Sequence, residues 1–208
     1  MIEELEDAVS RIPEGERGVF VDVGAHFGDW TVEAAAVFRS VVAVEPNPQS
    51  HAKIVGRIAG MHGRARAYQV ALAAQDGEVD LLVDCPSTIC TIDPGWRRDV
   101  FPHYFASDAC VRVPAMTWAT FIRTAGIHRV DLLKIDAEGS DRTIAMQVFE
   151  HAATHDILPR VVVVELTPRD RAAVLEASFA AGFREARTFT LDGARGYLNH
   201  VLVLGGDR

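Results

Sequence analysis

The chain has 208 residues, of which 49% are hydrophobic and 24% are charged, and its formal net charge is −8. This length and composition predict one globular domain with a sizeable core, and the negative charge argues against a nucleic-acid backbone as a partner. The sequence contains no apolar run of about 18 residues that could span a membrane, and its three cysteines without a signal-peptide core predict a cytoplasmic protein with reduced thiols.

Strands and helices are predicted to alternate along the chain. Apolar runs predict strands at 18–23, 40–45, 66–72, 78–83, 130–135, 161–164, 184–190 and 197–204. Amphipathic periodicity and capping residues predict helices at 3–12, 29–39, 48–61, 117–125, 141–155 and 168–181. The pairs Asp76-Gly77 and Asp192-Gly193 predict hairpin turns.

This order predicts the fold class. Alternating strands and helices indicate a doubly wound, Rossmann-like α/β sheet that is mostly parallel and binds ligands at the carboxyl ends of its strands. The last two strands, with no helix between them, predict an antiparallel C-terminal hairpin. Residues 85–110 interrupt the rhythm with prolines and aromatic residues, and we expect a substrate-side loop or lid within a single domain spanning 1–208.

A glycine-rich turn follows the first strand, in the stretch GVFVDVGAHFGDW. A dinucleotide site usually has G-x-G-x-x-G, but here Asp22 takes the place of the first glycine, before Gly24 and Gly28. A carboxylate would repel a pyrophosphate and attract an ammonium or a sulfonium. The second strand ends in Glu45, and the spacing 45 − 24 = 21 suits an acid that holds ribose hydroxyls. The turn therefore favours S-adenosylmethionine (SAM) over NAD.

Several motifs in order resemble FkbM-type, class I SAM-dependent O-methyltransferases: VFVDVGAHFGDWT, VEPNP, YQVALAAQDGEV, VDLLKIDAEGSD and VVVVEL. The resemblance covers nearly the whole chain, and LLKIDAEG is its most specific part. It implies a class I methyltransferase sheet and methylation of a hydroxyl, often on a sugar or on a polyketide-like natural product. Some sugar methyltransferases of this fold use a divalent cation.

The predicted cofactor site combines the glycine-rich turn, the ribose-binding Glu45 and the ends of two further strands. Gln69 to Ala71 should lie beside the adenine, because they end the third strand. The expected cofactor-binding residues are Asp22, Gly24, His26, Gly28, Glu45, Val70, Ala71 and Asp136.

Two carboxylates end buried strands on the ligand side, Asp136 after the strand at 130–135 and Glu165 after the strand at 161–164. With Asn199 from the last strand they form an oxygen-rich set that suits Mg²⁺ or Mn²⁺. The alternative is a carboxylate–histidine hydrogen bond with no metal.

Methyl transfer to a hydroxyl requires a proton acceptor and an in-line approach to the sulfonium. The predicted base is Asp136, His200 or His26. The acceptor is expected to be a small, hydroxylated molecule, most simply a carbohydrate, because flat apolar faces and hydrogen-bond donors are the groups that hold sugars. Residues of this kind, with one further carboxylate, are Trp96, Arg97, His103, Tyr104 and Glu138.

Other function classes stay open at this level. A nicotinamide-dependent oxidoreductase is disfavoured by Asp22. A nucleic-acid N-methyltransferase is disfavoured by the acidic charge and by Asp-Ala-Glu-Gly after the strand that ends at Ile135. A SAM-binding protein without catalysis is disfavoured by Asp136 and Glu165. The assembly is also open, with a homodimer as the alternative to a monomer.

Overall fold

The computed structural model of the protein describes residues 2–83, 89–100, 109–152, 157–190 and 196–205, apart from the side chains of residues 97, 100 and 152. Seven α-helices and ten strands lie in these residues. The helices are α1 (Glu3–Ser10), α2 (Asp29–Ala34), α3 (Pro48–Ile58), α4 (Pro94–Val100), α5 (Trp118–Thr124), α6 (Asp141–Ala152) and α7 (Arg171–Ala180). The strands are β1 (Val19–Val23), β2 (Ser40–Val44), β3 (Ala65–Tyr68), β4 (Ala71–Leu72), β5 (Gly77–Leu82), β6 (Cys110–Met116), β7 (Leu132–Ile135), β8 (Val161–Leu166), β9 (Phe183–Thr190) and β10 (Leu198–Leu204).

Seven strands form the main sheet in the order β3-β2-β1-β7-β8-β10-β9. The first five of these are parallel, whereas β10 is antiparallel to both β8 and β9. The predicted α/β class, the mostly parallel sheet and the antiparallel C-terminal pair are confirmed. The predicted turn at residues 192–193 lies outside the described residues.

Helices cover both faces of the sheet, because the strands are apolar on both sides. Leu5 and Val9 of α1 and Ala34 of α2 pack with Phe20 and Val163 on one face. Helices α5, α6 and α7 cover the other face, through fully or almost fully buried side chains that include Trp118, Phe121, Ile144, Val148 and Val174. A sheet covered in this way leaves its carboxyl edge as the place where a ligand can reach the strand ends. Among the described residues, no helix has both the length and the apolar character that crossing a membrane requires.

The predicted hairpin at Asp76-Gly77 is wrong. Strands β4 and β5 do not pair with each other but flank β6, which is parallel to β4 and antiparallel to β5. The segment predicted as a loop, 85–110, contains helix α4 and the first residue of β6. Strand β6 itself was not predicted, and its Pro114 is a residue that disfavours a strand. The predicted third strand is likewise divided, since β3 belongs to the main sheet and β4 to this second, three-stranded sheet.

Most of the helix N-caps predicted from the sequence are present in the structure. Asn47 caps α3 by accepting a hydrogen bond from Gln49 N, with Pro48 at the first helical position. Thr117 caps α5 in the same way. Helix α7 begins at Arg171, later than Pro168, because the Thr167 hydroxyl bonds Asp170 and forms a separate turn.

Candidate active site

A cleft of about 230 Å³ opens at the carboxyl edge of the main sheet. Its walls come from residues at the carboxyl ends of β1, β2, β7 and β8, and from the second sheet. Val70, Ala71, Leu72 and Leu81 provide an apolar end, together with Ile92. Asp136, Glu138 and Glu165 lie on the opposite, acidic side. The cleft is thus suited to a ligand with one flat apolar part and one polar part.

The glycine-rich turn forms the floor between these ends. Gly24 has φ +73°, and both Gly24 N and Ala25 N donate to Val44 O, at 3.0 and 3.1 Å. A Cβ on Gly24 would lie 1.7 Å from Asp136 O, so only glycine allows β1 and β7 to approach here. Gly28, at φ +78°, packs against Ile54 and turns the chain into α2.

Glu45 is placed by two backbone amides. Its Oε2 accepts from His26 N and its Oε1 accepts from Asn47 N, both at 2.8 Å. The side chain is buried but lines the cleft, and burial raises its pKa to about 7. Glu45 therefore ties the glycine turn to the start of α3 and presents a carboxyl group to a ligand.

His26, which the sequence analysis expects to bind the cofactor, also lines the cleft. Its φ of +50° is rare for a residue with a side chain, and its ring stacks on Phe27 with the ring centroids 3.6 Å apart. Burial lowers the pKa of His26 below its usual value. The imidazole is consequently neutral at pH 7.

Asp22 does not line the cleft, contrary to the prediction that it contacts the cofactor. It is fully buried beneath the turn, where its Oδ2 accepts from Thr31 Oγ1 at 2.7 Å and its Oδ1 lies 3.6 Å from Lys134 Nζ. Burial raises the pKa of Asp22, and Lys134 and Thr31 oppose the rise. The cation that this carboxylate attracts is a lysine of the protein itself.

Lys134 was missed by the sequence analysis, although it lies in the LLKIDAEG motif. Its Nζ is 3.1 Å from Asp136 Oδ2 and 3.3 Å from Gly24 O. Burial would lower the pKa of Lys134, but the charges of Asp136 and Asp22 outweigh it and raise the pKa. The available signal was positional, because a lysine inside an apolar strand needs a buried anion.

The acidic end contains more carboxylates than the sequence analysis brought together. Burial and the charge of Asp136 raise the pKa values of both Glu138 and Glu165. Asp141, at the start of α6, accepts from Ala137 N at 2.6 Å and from Gly139 N at 3.1 Å, and its pKa is raised to about 6 by burial and by Asp136. This end of the cleft therefore combines one buried ammonium with carboxyl groups that hold protons near neutral pH.

The predicted metal set does not form a metal centre here. Asn199 is opposite Glu165 in the β8–β10 ladder, so the two share a face of the sheet as expected, but Asn199 is not among the residues that line the cleft. Within the described residues, no group of three or more His, Cys, Asp or Glu side chains is arranged to hold a metal ion. The physical reason is that Lys134 already supplies a positive charge to Asp136.

His200, one of the predicted bases, does not line the cleft. It is 1% exposed, and its Nδ1 contacts Glu185 of β9 rather than the cleft. Its register partner in β8 is Val164, so it projects from the face opposite to Glu165 and Asn199. The alternating direction of neighbouring strand residues separates His200 from Asn199.

The predicted acceptor residues fall into two groups. Trp96 of α4 packs on Gly139, since a Cβ there would be 2.6 Å from Trp96 Cγ, and Asp93 caps α4 through Gly95 N and Trp96 N. Trp96 thus lies beside Glu138 at the acidic end. Arg97 is in α4, but its side chain lies outside the described residues, as do His103 and Tyr104 entirely.

A family model for the methyltransferase FkbM domain matches residues 22–195. The chain belongs to the FkbM methyltransferase family. It is therefore a SAM-dependent methyltransferase, and the cleft lies where class I enzymes of this fold bind SAM. No curated protein matches this FkbM chain in sequence.

Solved structures confirm the Rossmann-like methyltransferase fold at low sequence identity. An rRNA methylase from Streptococcus thermophilus has a TM-score of 0.53 and 12% identity, with 98% of each chain covered. Magnesium protoporphyrin IX methyltransferase from Synechocystis PCC 6803, solved with bound SAM, has a TM-score of 0.52 and 12% identity, covering 97% of this chain and 76% of that one. A fibrillarin pre-rRNA processing protein from Methanococcus jannaschii has a TM-score of 0.54 and 11% identity, covering 99% and 76%.

Proposed function

We propose that this FkbM protein transfers the methyl group of SAM to a hydroxyl of a small acceptor, most simply a carbohydrate. The observation that carries the proposal is the cleft itself, which joins the glycine turn and Glu45 to an acidic end, next to which Trp96 packs on Gly139. Carboxyl groups and a flat apolar face are the two features that bind sugar hydroxyls and sugar rings. The second candidate acceptor class, a polyketide-like natural product, presents the same chemistry through its hydroxyls.

The polarity of the cleft supports one orientation of SAM. Val70 and Ala71 form the apolar wall for the adenine, and Glu45 accepts hydrogen bonds from the ribose hydroxyls. Asp136 receives the ammonium of the methionine part, because its carboxylate is at the polar end and is 35% exposed. This orientation directs the sulfonium methyl toward Glu138 and Glu165.

The reaction is a displacement at the methyl carbon. The acceptor oxygen forms a bond to this carbon as the carbon–sulfur bond breaks, and S-adenosylhomocysteine (SAH) leaves with the bonding electron pair. The hydroxyl proton passes to the ionised carboxylate of Glu165, which takes the place of His200 as the base. Burial and the charge of Asp136 raise the pKa of Glu165 to about 8, and a base with a pKa near the working pH is the most effective. The same causes raise the pKa of Glu138 further, so Glu138 holds its proton near neutral pH and is not the base.

A divalent cation has no step in this proposal. Mg²⁺ or Mn²⁺ was expected to relieve the repulsion between Asp136 and Glu165. Lys134 instead compensates the charge of Asp136. The raised pKa values of Glu138 and Glu165 mean that protonation lowers the negative charge of these two side chains.

The experiment is label transfer from methyl-labelled SAM to a panel of sugars, glycosides and hydroxylated natural products, with RNA and protein as comparison substrates. The expected product is a methyl ether, which survives alkaline treatment, whereas a methyl ester does not. Label that enters only RNA or protein, or that is released by alkali, would contradict hydroxyl methylation of a small acceptor.

A further inference from the structure

Three oxygens from three positions surround the ammonium of Lys134. Nζ lies 3.6 Å from Asp22 Oδ1, 3.3 Å from Gly24 O and 3.1 Å from Asp136 Oδ2. The side chain is 9% exposed, and its Nζ is 5.7 Å from the centre of the Trp30 ring. Gly24 O and Asp136 Oδ2 are within hydrogen-bonding distance of the ammonium, whereas Asp22 Oδ1 forms a longer ion pair with it.

The strand register explains how the three positions meet. Asp22 of β1 is the direct partner of Lys134 of β7, so both side chains project from the same face. Gly24 and Asp136 come two positions after those residues, immediately past the ends of β1 and β7, and therefore return to that face at the carboxyl edge. The lysine links the fully buried carboxylate to the half-exposed one across two neighbouring strands.

We propose that Lys134 is a positioning residue that fixes the Asp136 carboxylate and the Gly24 carbonyl where the amino-acid part of SAM binds. Lys134 does not line the cleft, so it acts through Asp136 rather than on the ligand. Asp22 holds the lysine from below, which accounts for an aspartate in the first position of the glycine turn. This inference rests on the proposed function, because it assigns Asp136 to the SAM ammonium.

Charge balance determines which variants are informative. Removing Lys134 alone would leave the fully buried Asp22 without its cation and would destabilise the protein for a reason unrelated to the ligand. Asp22→Asn removes that complication, since Thr31 can still bond the side chain. The comparison is therefore between Asp22→Asn and the double variant Asp22→Asn/Lys134→Met, with Asp22→Asn/Lys134→Gln as a second pair if the methionine variant does not fold.

Two ligands separate positioning from general structural damage. SAH has the adenosine and the amino-acid part, whereas 5′-methylthioadenosine has the adenosine and sulfur without the ammonium and carboxylate. Relative to Asp22→Asn, the double variant should bind SAH about tenfold or more weakly, because a charged hydrogen-bond acceptor is no longer held in place, and bind 5′-methylthioadenosine within about twofold.

Calorimetric titration of the full chain measures both affinities, and thermal melting checks that each variant is folded. Equal weakening of both ligands, or unchanged SAH affinity, would overturn the role of Lys134. If the wild-type protein binds SAH and transfers label but the double variant behaves like Asp22→Asn, only this inference fails. If the wild-type protein does not bind SAH, the proposed function fails and the inference fails with it.

Discussion

At the scale of single residues, Glu45 shows how burial and function are linked. Two backbone amides stabilise the ionised carboxylate, but burial outweighs them and raises its pKa to about 7. The folded protein therefore binds this proton more tightly than the unfolded chain does. The stability that results is fully present below the unfolded pKa of 4.5 and is lost as the pH rises through about 7.

Ligand binding should have the opposite pH dependence, because the ionised carboxylate is the stronger acceptor for ribose hydroxyls. For a pKa of about 7, the ionised fraction rises from roughly 0.1 at pH 6 to roughly 0.9 at pH 8, so we expect SAH affinity to increase by up to about tenfold over this range. Calorimetry from pH 6 to 8 measures the change. Glu45→Gln keeps the size and shape of the side chain but cannot ionise, so this variant should bind SAH weakly and with the same affinity from pH 6 to 8. If the variant shows the same pH dependence as the wild type, the assignment to Glu45 is contradicted.

The sequence predicts single residues well where a local pattern places them. Gly24 and Glu45 line the cleft because they directly follow β1 and β2, and Val70 and Ala71 line it because they come shortly after β3. Asp22 and His200 were misplaced for a different reason, since they lie within strands and the direction of their side chains depends on the register with neighbouring strands. Lys134 was missed because its partners are distant in the sequence.

At the scale of elements, the contact between the β1 and β7 ends defines the site. Gly24 touches the backbone of Asp136 so closely that a methyl group would overlap it, and its φ of +73° adds strain for any other residue. This contact aligns the glycine turn with the carboxylate that follows β7.

Gly24→Ala should lower the free energy of unfolding by roughly 3 kcal/mol or more, from backbone overlap and strain combined, and should abolish SAM binding. The matched control is Gly56→Ala in α3, where a Cβ would contact nothing within 4 Å, so helix propensity should stabilise the protein by up to about 1 kcal/mol. Chemical denaturation measures both changes. Similar stabilities for the two variants would show that β1 and β7 are not held together as described.

The second sheet is the element that the sequence could not predict. Strand β4 has two residues, β6 contains Pro114, and their pairing joins residues that are about 44 positions apart, as in Ala71 with Ala115. An Asp-Gly turn signals only a local hairpin, whereas pairing across the sheet is decided by tertiary packing. Ala71, Leu81 and Val113 form the small core that stabilises this arrangement beside the cleft.

At the scale of the whole molecule, the alternation of strands and helices was sufficient to predict the sheet class and the edge of the sheet at which the cleft opens. These strands could be recognised in the sequence because strands that are buried on both faces appear as short, nearly continuous apolar runs. The positions of the charged side chains relative to one another could not be predicted in the same way. A formal net charge of −8 predicted an acidic protein, but only the folded chain brings Asp136, Glu138, Asp141 and Glu165 together around one lysine.

The measurement that tests the central claim most directly is a calorimetric titration of the purified protein with SAM, SAH and NAD in parallel. The claim is that this cleft holds SAM through Glu45 and the glycine turn. We predict saturable binding of one SAM or SAH per chain and no binding of NAD at the same concentrations, because the carboxyl groups at the acidic end of the cleft disfavour a pyrophosphate. Binding of NAD with no binding of SAM or SAH would contradict the account.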